Sequence, residues 1–333
     1  MKMMFLNIMH GREIYIKCIR ILSRWYCYEH TRFRKKPPGG TRFLKDPKQI
    51  FNFNAWDNVE WNEEQELQAK LAIEKNSKIK FTDEDIKKFE EDADKYWDQF
   101  YDIHDNKFFK DRHWLFTEFP ELAPKLDKEE EKNMKPRSIF ELGCGVGNTI
   151  LPILSYSMEK NLKVYGCDFS SKAIDILKEH SNFDSERAEV FVMDVTKENW
   201  SVPFEESSID IIILIFVLSA INPSKMENVA KNCSKYLKPG GMVILRDYGR
   251  YDLAQLRFKE GKCLQDNFYV RGDGTRVYFF TQEEIKQLFE KVGLVEEQNV
   301  IDRRLQVNRS RLLKMYRVWI QAKYKKPALD CST

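Results

Sequence analysis

Apolar positions in the first third of the chain recur at three- and four-residue steps. Asn62 stands before Glu63, Glu64 and Glu66, an N-cap followed by acids suited to the positive end of a helix dipole, so a helix is predicted from there. A second helix is predicted from Thr82 and Asp83 towards Tyr101, with Ile86, Phe89, Ala93, Tyr96, Trp97 and Phe100 on one apolar, largely aromatic face. After Pro136 the pattern changes, and short apolar runs alternate with helical stretches. Strands are predicted over 138–142, 163–167, 188–193, 209–217 and 242–246, with helices over 148–159, 171–180 and 224–237. That alternation predicts an α/β fold, a doubly wound parallel sheet covered on both faces. Further on, segments 267–271 and 275–280 flank Gly272-Asp-Gly274 as a hairpin, followed by a helix over 282–292 and an apolar stretch over 316–322.

Composition adds bounds. With 333 residues, 42% apolar and 32% charged, the chain can build a real core, which excludes collagen-like, low-complexity and wholly disordered classes. Its longest apolar run, 209–221, is interrupted by Asp210 and Ser219 and is shorter than the roughly 20 residues of a bilayer span, so no membrane association is expected. The seven cysteines form no C-x-x-C pair, so neither a disulfide framework nor a metal site is expected, and a reducing, cytoplasmic location fits. A net charge of +3 points to no partner by itself. Residues 1–36 carry nine Lys/Arg against Glu13 and Glu29: either a basic tail or a mitochondrial targeting leader, the alternative location. The expected organisation is a basic leader (1–40), a helical N-terminal extension (41–135), a catalytic domain (136–326) and a tail (327–333).

The sharpest chemical signal is Glu141-Leu-Gly-Cys-Gly-Val-Gly-Asn148, between the first strand and the next helix. Gly143, Gly145 and Gly147 lack β-carbons, so the backbone can turn tightly and approach a ligand with free amides facing it. Asp168 ends the second predicted strand, where a carboxylate can accept both ribose hydroxyls of an adenosine, and Asp194 follows the third. The spacing G-x-G-x-G with Asn148 departs from the dinucleotide fingerprint, and Glu141 suits a cationic ligand better than a pyrophosphate. S-adenosylmethionine carries that cation. Both aspartates are also good caps for the helices that follow.

The glycine turn, Leu237-Lys-Pro-Gly-Gly241 and Met242-Val-Ile-Leu-Arg-Asp-Tyr-Gly249 resemble class I S-adenosylmethionine-dependent methyltransferases. More specifically, Lys95-Tyr-Trp-Asp-Gln-Phe-Tyr101, Phe108-Phe-Lys-Asp-Arg-His-Trp114, Ile215-Phe-Val-Leu-Ser-Ala220, Arg246-Asp-Tyr-Gly-Arg-Tyr-Asp252 and Asn267-Phe-Tyr-Val-Arg-Gly-Asp-Gly-Thr275 resemble the tRNA N(3)-methylcytidine methyltransferase family. Asn54-Ala-Trp-Asp-Asn-Val-Glu-Trp61 and Phe119-Pro-Glu-Leu122 resemble its branch acting on cytosolic threonine and arginine tRNAs, close to a mitochondrial sister. The resemblance spans 41–326 and implies a Rossmann-like fold, cytidine 32 of the anticodon loop as acceptor, and a cofactor site of Trp97, Tyr101, Gly143, Asp168, Asp194 and Ile215. Periodicity alone would read Trp97 and Tyr101 as core.

Residues 303–326 hold nine Lys/Arg and no acid, a stripe that is either a solvated face or, with the cation–aromatic segment 107–114 and the hairpin arginines, a surface tracking RNA backbone. The expected RNA contacts are Phe108, Phe109, Lys110, Arg112, His113, Arg271, Arg276, Arg303, Arg304 and Arg309, with Trp114 offering a further ring. Cytosine N3 has a free lone pair, so no general base is needed; positioning and stabilisation of a cationic product remain. Asp247, flanked by Arg246 and Tyr248, is the candidate catalytic set, with a structural Asp–Arg pair as the other reading. A protein or small-molecule methyltransferase, or a silent RNA-binding subunit, remain as alternatives, and a helper protein presenting tRNA is an open addition.

Overall fold

Apolar runs after Pro136 become the parallel half of one eight-stranded sheet. The computed structural model describes residues 37–123, 136–157, 159 and 161–328. The leader 1–36, the boundary segment 124–135 and residues 329–333 lie outside the described residues, as do Cys18, Cys27 and Cys331. The strands are β1 (Ala55–Asp57), β2 (Arg137–Leu142), β3 (Leu162–Asp168), β4 (Ala188–Val192), β5 (Ile209–Ile215), β6 (Leu237–Tyr248), β7 (Cys263–Gln265), β8 (Phe268–Val270), β9 (Arg276–Tyr278), β10 (Val295–Asn308) and β11 (Leu313–Lys325). The main sheet runs β1-β10-β11-β6-β5-β2-β3-β4, while β7, β8 and β9 form a small antiparallel sheet around the predicted hairpin.

Pairs among β6, β5, β2, β3 and β4 are parallel, as predicted. The other half is antiparallel, so the sheet is mixed. β10 escaped the sequence pattern because its first half is polar; Leu305 and Val307 reach a core against Ile50 and Trp56, and Ile301 packs part-buried against the main one. Alternation in the central strands feeds both faces: Phe140, Ile212, Leu214, Val243 and Leu245 enter one core, and Ile139, Ile211, Ile213 and Ile244 the other. Strand β2 lies between β3 and β5, the point where strand order reverses and where open α/β sheets leave a crevice at the carboxyl ends.

Helices α1 (Glu63–Asn76), α2 (Asp83–Glu91) and α3 (Ala93–His104) precede the parallel strands, followed by α4 (Ile150–Tyr156), α5 (Ser171–Lys178), α6 (Met226–Tyr236) and α7 (Gln282–Glu290). Asn62 caps α1 through a capping box with Gln65. The single helix expected from Thr82 towards Tyr101 is two, broken at Asp92. Its aromatic face serves two surfaces. Ile86 and Phe89 pack on Leu264, Phe268 and Val270 of the small sheet, whereas Phe100 and Tyr101 pack on Val146 and Ala173. The extension is not wholly helical either, since β1 pairs with β10 and makes it an edge of the main sheet.

Candidate active site

The glycine turn leaves β2 at the reversal point with Gly143, Gly145 and Gly147 at φ +61°, +52° and +88°, a region costly to residues with a β-carbon. Space demands glycine as well, because a Cβ on Gly145 would lie 2.6 Å from the Tyr101 hydroxyl, and one on Gly143 would strike Val217. Asp168 fastens the turn: one carboxylate oxygen accepts the Gly145 N–H at 2.9 Å and the other the Ser170 N–H at 3.0 Å. Burial raises its carboxyl pKa against those donors. Asp194 accepts the Thr196 N–H at 2.9 Å and hydroxyl at 2.7 Å. Neither acid is the expected helix cap: Ser170 caps the helix after Asp168, and turns rather than a helix follow Asp194.

These groups line one cavity at the carboxyl ends of the parallel strands. Trp97 and Tyr101, with ring centroids 6.1 Å apart, close it from α3. Two clasps hold that lid. Asp98 accepts from the Ser170 hydroxyl at 2.6 Å and from the Lys172 N–H at 3.3 Å, at the start of α5. Glu90 of α2 is ion-paired with Arg276 and with Lys225 and accepts from Asn222 at 3.2 Å. Ile215, Phe216 and Val217 complete the wall, Phe216 at φ +60°.

The set fits S-adenosylmethionine. Gly143 and Gly145 make a cradle that β-carbons would fill, carboxylates stand at successive strand ends, and an indole faces the space, whereas the lining cations Lys225 and Arg276 are both paired with Glu90. Glu141 stands behind this wall. It is fully buried, pairs with Arg112 at 3.3 Å, and is pushed up to about 8 by burial although Arg112 pulls the other way. Its second oxygen is buried with no partner among the described residues.

A second chamber adjoins the first, sharing Trp97, Phe109, Arg112, Phe216 and Ala220. Phe108, Phe109, Lys110, Arg112 and Arg271, expected to meet RNA, line it. Tyr248 lines it too, with the Arg271 guanidinium 5.6 Å over its ring. The sequence reading missed Ser219, Asp273, Arg317 and Trp319 on this wall. Trp319 carried one usable signal, an indole within an otherwise strand-like run, while nothing local marked the left-handed backbone of Phe216.

Several expected residues are elsewhere. Asp247 and Arg246 are neighbours on β6 and therefore face opposite sides of the sheet. Asp247 is fully buried and lines neither chamber; its oxygens accept from the Ser219 N–H at 2.9 Å and from its own neighbour Tyr248 N–H at 2.8 Å. It holds the loop of Ser219 and Ala220, whose residues lie on the chamber walls. Arg246 is a structural guanidinium, bonded to Gln321 and Asp302 and stacked between Trp114 (5.0 Å) and Trp319 (4.8 Å). His113 is hydrogen-bonded to the Tyr156 hydroxyl at 3.1 Å and lines neither chamber, and Arg276 belongs to the first cavity's clasp.

The basic stripe is also divided. Arg304 pairs with Asp302, Glu118 and Asp57, Arg317 with Asp252, and Lys323 with Glu121, so these charges are internally matched. Arg303 lies 6.0 Å over the Trp61 ring. Arg309, Arg311 and Lys314 stay exposed around the β10–β11 turn. Among the described residues no group of three or more His, Cys, Asp or Glu is placed to hold a metal.

Comparison with known proteins agrees with this geometry. A methyltransferase-domain family model matches residues 112–299. The chain is 64% identical over 301 residues, 90% of its length and 92% of the relative's, to tRNA N(3)-methylcytidine methyltransferase Mettl2 of Drosophila melanogaster. It is 47% identical to tRNA N(3)-cytidine methyltransferase METTL2B of Homo sapiens, covering 90% of this chain and 96% of that one. The tRNA(Thr) (cytosine(32)-N(3))-methyltransferase of Saccharomyces cerevisiae is 44% identical across 86% of this chain and 46% of its own length. With the glycine cradle, the strand-end carboxylates and an aromatic lid already in place, the chain belongs to the tRNA N(3)-methylcytidine methyltransferase family, a class I S-adenosylmethionine-dependent group.

Proposed function

We propose that the protein methylates N3 of cytidine 32 in the anticodon loop of threonine and arginine tRNAs. The observation that carries this reading is the pair of chambers with a common wall: one fits the methyl donor, and the other, rimmed by Phe108, Phe109, Lys110 and Arg271, is open to a splayed base. S-adenosylmethionine supplies an electrophilic methyl on a sulfonium. The chain's own residues do the rest. Trp97, Phe109 and Phe216 exclude water along the shared wall, Lys110 and Arg271 attract the RNA backbone, and Asp247 keeps the Ser219 loop in place between donor and acceptor. The name of the yeast relative supports the position and the threonine tRNA; the arginine tRNA rests on the sequence resemblance.

The test is to incubate purified protein and S-adenosylmethionine with threonine and arginine tRNA transcripts and to map 3-methylcytidine by mass spectrometry. Methylation confined to cytidine 32 is expected, and a transcript carrying uridine there should stay unmodified. Methyl transfer to protein, or at another nucleotide, overturns the proposal. Activity that needs added cell extract assigns tRNA presentation to a helper protein. We place the protein in the cytoplasm, a reading supported by four buried free thiols, Cys144, Cys167, Cys233 and Cys263. Fractionation of cells expressing the chain with and without residues 1–36 tests it; mitochondrial recovery that depends on the leader overturns it.

A further inference from the structure

We propose that Asp273, at the turn of the β8–β9 hairpin, accepts a hydrogen bond from the exocyclic amino group of the acceptor cytosine and offsets the positive charge the base acquires. The inference rests on the function proposed above and deepens it. Among the described residues Asp273 is the single carboxylate on the wall of the second chamber. The other charged groups there are cations, of which Arg112 is hydrogen-bonded to Glu141 and Thr149 and Arg317 is paired with Asp252. Asp247, the nearest alternative in sequence terms, lies on the far face of β6 with both oxygens engaged.

The turn is built to present this side chain. One oxygen of Asp273 accepts from the Thr275 N–H at 2.9 Å and from the Thr275 hydroxyl at 2.7 Å, which fixes the side chain's direction. Its other oxygen has no partner among the described residues, and the residue is exposed at the chamber. Gly274, at φ +83°, lies so close to Tyr96 that a Cβ there would strike the ring, which seats the turn against α3.

In the transfer, the N3 lone pair forms the new bond to the methyl carbon while the carbon–sulfur bond breaks and its electron pair returns to sulfur. The positive charge passes from sulfur to the pyrimidine, where N3 shares it with the exocyclic amino group. No proton moves in that step. An amino N–H held by a carboxylate therefore becomes a stronger donor as the reaction proceeds, so the contact favours the transition state over the ground state. A uracil would present a carbonyl to the same carboxylate and be repelled.

Asp273→Asn separates charge from architecture, because the amide oxygen can still accept both Thr275 bonds. With the tRNA substrate, kcat should fall about 10- to 100-fold, the range for one hydrogen bond to a charged group, while tRNA affinity, cofactor affinity and Tm stay at wild-type values. Asp273→Ala should lower Tm as well. A tRNA carrying pyrimidin-2-one at the target position keeps the N3 lone pair but lacks the amino group. Loss of the amino donor lowers N3 nucleophilicity for both proteins, so this RNA should slow the wild type about 10- to 100-fold more than it slows Asp273→Asn, and the two proteins should methylate it at equal rates. Wild-type kcat in Asp273→Asn, or two losses that multiply, overturns the assignment. A wild-type chain that leaves both RNAs unmethylated overturns the function first and the assignment with it.

Discussion

Asp168 holds the Gly145 and Ser170 N–H groups from the end of β3 and lines the cofactor cavity, so its removal loosens the turn and takes away a ligand acceptor together. Asp168→Ala is expected to weaken S-adenosylmethionine binding by about tenfold or more in calorimetry, with an unchanged circular dichroism spectrum. Unaltered affinity would remove the ribose role. Two other buried carboxyls carry a pH signature. Burial pushes Asp247 up to about 6, against hydrogen bonds from Ser219, and Glu141 up to about 8, against Arg112. Both folded-state values lie above those of the unfolded chain. The folded protein therefore binds more protons in the window between, and these two groups lower its stability as pH rises from about 4 to about 8. In urea titrations, Glu141→Gln should gain on the wild type between about pH 6 and pH 8. A gap that narrows or stays constant there contradicts the protonation assigned to Glu141. The glycine turn and Asp168 were legible in the sequence because their work is local: tight backbone geometry and a bond to the amide two residues on. The side of the sheet taken by Asp247 was legible in principle from alternation, yet its partner Ser219 lies 28 residues away.

At the scale of elements, the β10–β11 hairpin turns a run of like charges into two populations. Alternation along each strand directs Arg304, Arg317 and Lys323 to carboxylates on other segments, and the turn leaves Arg309 and Arg311 in solvent. Replacing Arg309 and Arg311 with Ala should weaken tRNA binding and lower the slope of log affinity against log salt by about 1 to 2, measured by filter binding across salt concentrations, with Tm unchanged. Arg304→Ala should do the reverse: lower Tm and leave the slope as it was. A slope that ignores the two exposed arginines would move the RNA surface off the hairpin. The break at Asp92 between α2 and α3 belongs to this scale too. Helical periodicity runs through it, and the docking surfaces that bend the chain are distant in sequence: Val146 and Ala173 lie about 45 to 73 residues beyond Tyr101 and Phe100, and the small sheet about 175 or more beyond Phe89.

For the whole molecule, Glu118 is the joint. It accepts from the Gly39 N–H at 3.0 Å, Arg304 at 3.2 Å and Gln321 at 3.3 Å, which ties the segment after the leader, the lid-bearing extension and the hairpin to one buried carboxylate. Through Gln321 and Asp302 the network reaches Arg246 and the stacked rings of Trp114 and Trp319 behind the second chamber. Glu118→Ala should cost about 1 to 3 kcal/mol in chemical denaturation, because Arg304 keeps Asp302 and Asp57 while the Gly39 N–H and the buried Gln321 amide lose their acceptor. A loss under about 1 kcal/mol, the scale of an exposed pair, would dissolve the joint. The sequence alone determined the parallel half of the sheet, the glycine cradle and the strand-end acids, since periodicity, left-handed glycine backbone and side-chain bonds to an amide two residues on act over a few residues. Tertiary structure decided which charges are free. Arg304 meets Glu118 across 186 positions and Arg246 meets Gln321 across 75, and whether a cation is neutralised or offered to RNA depends on the partner that folding brings beside it.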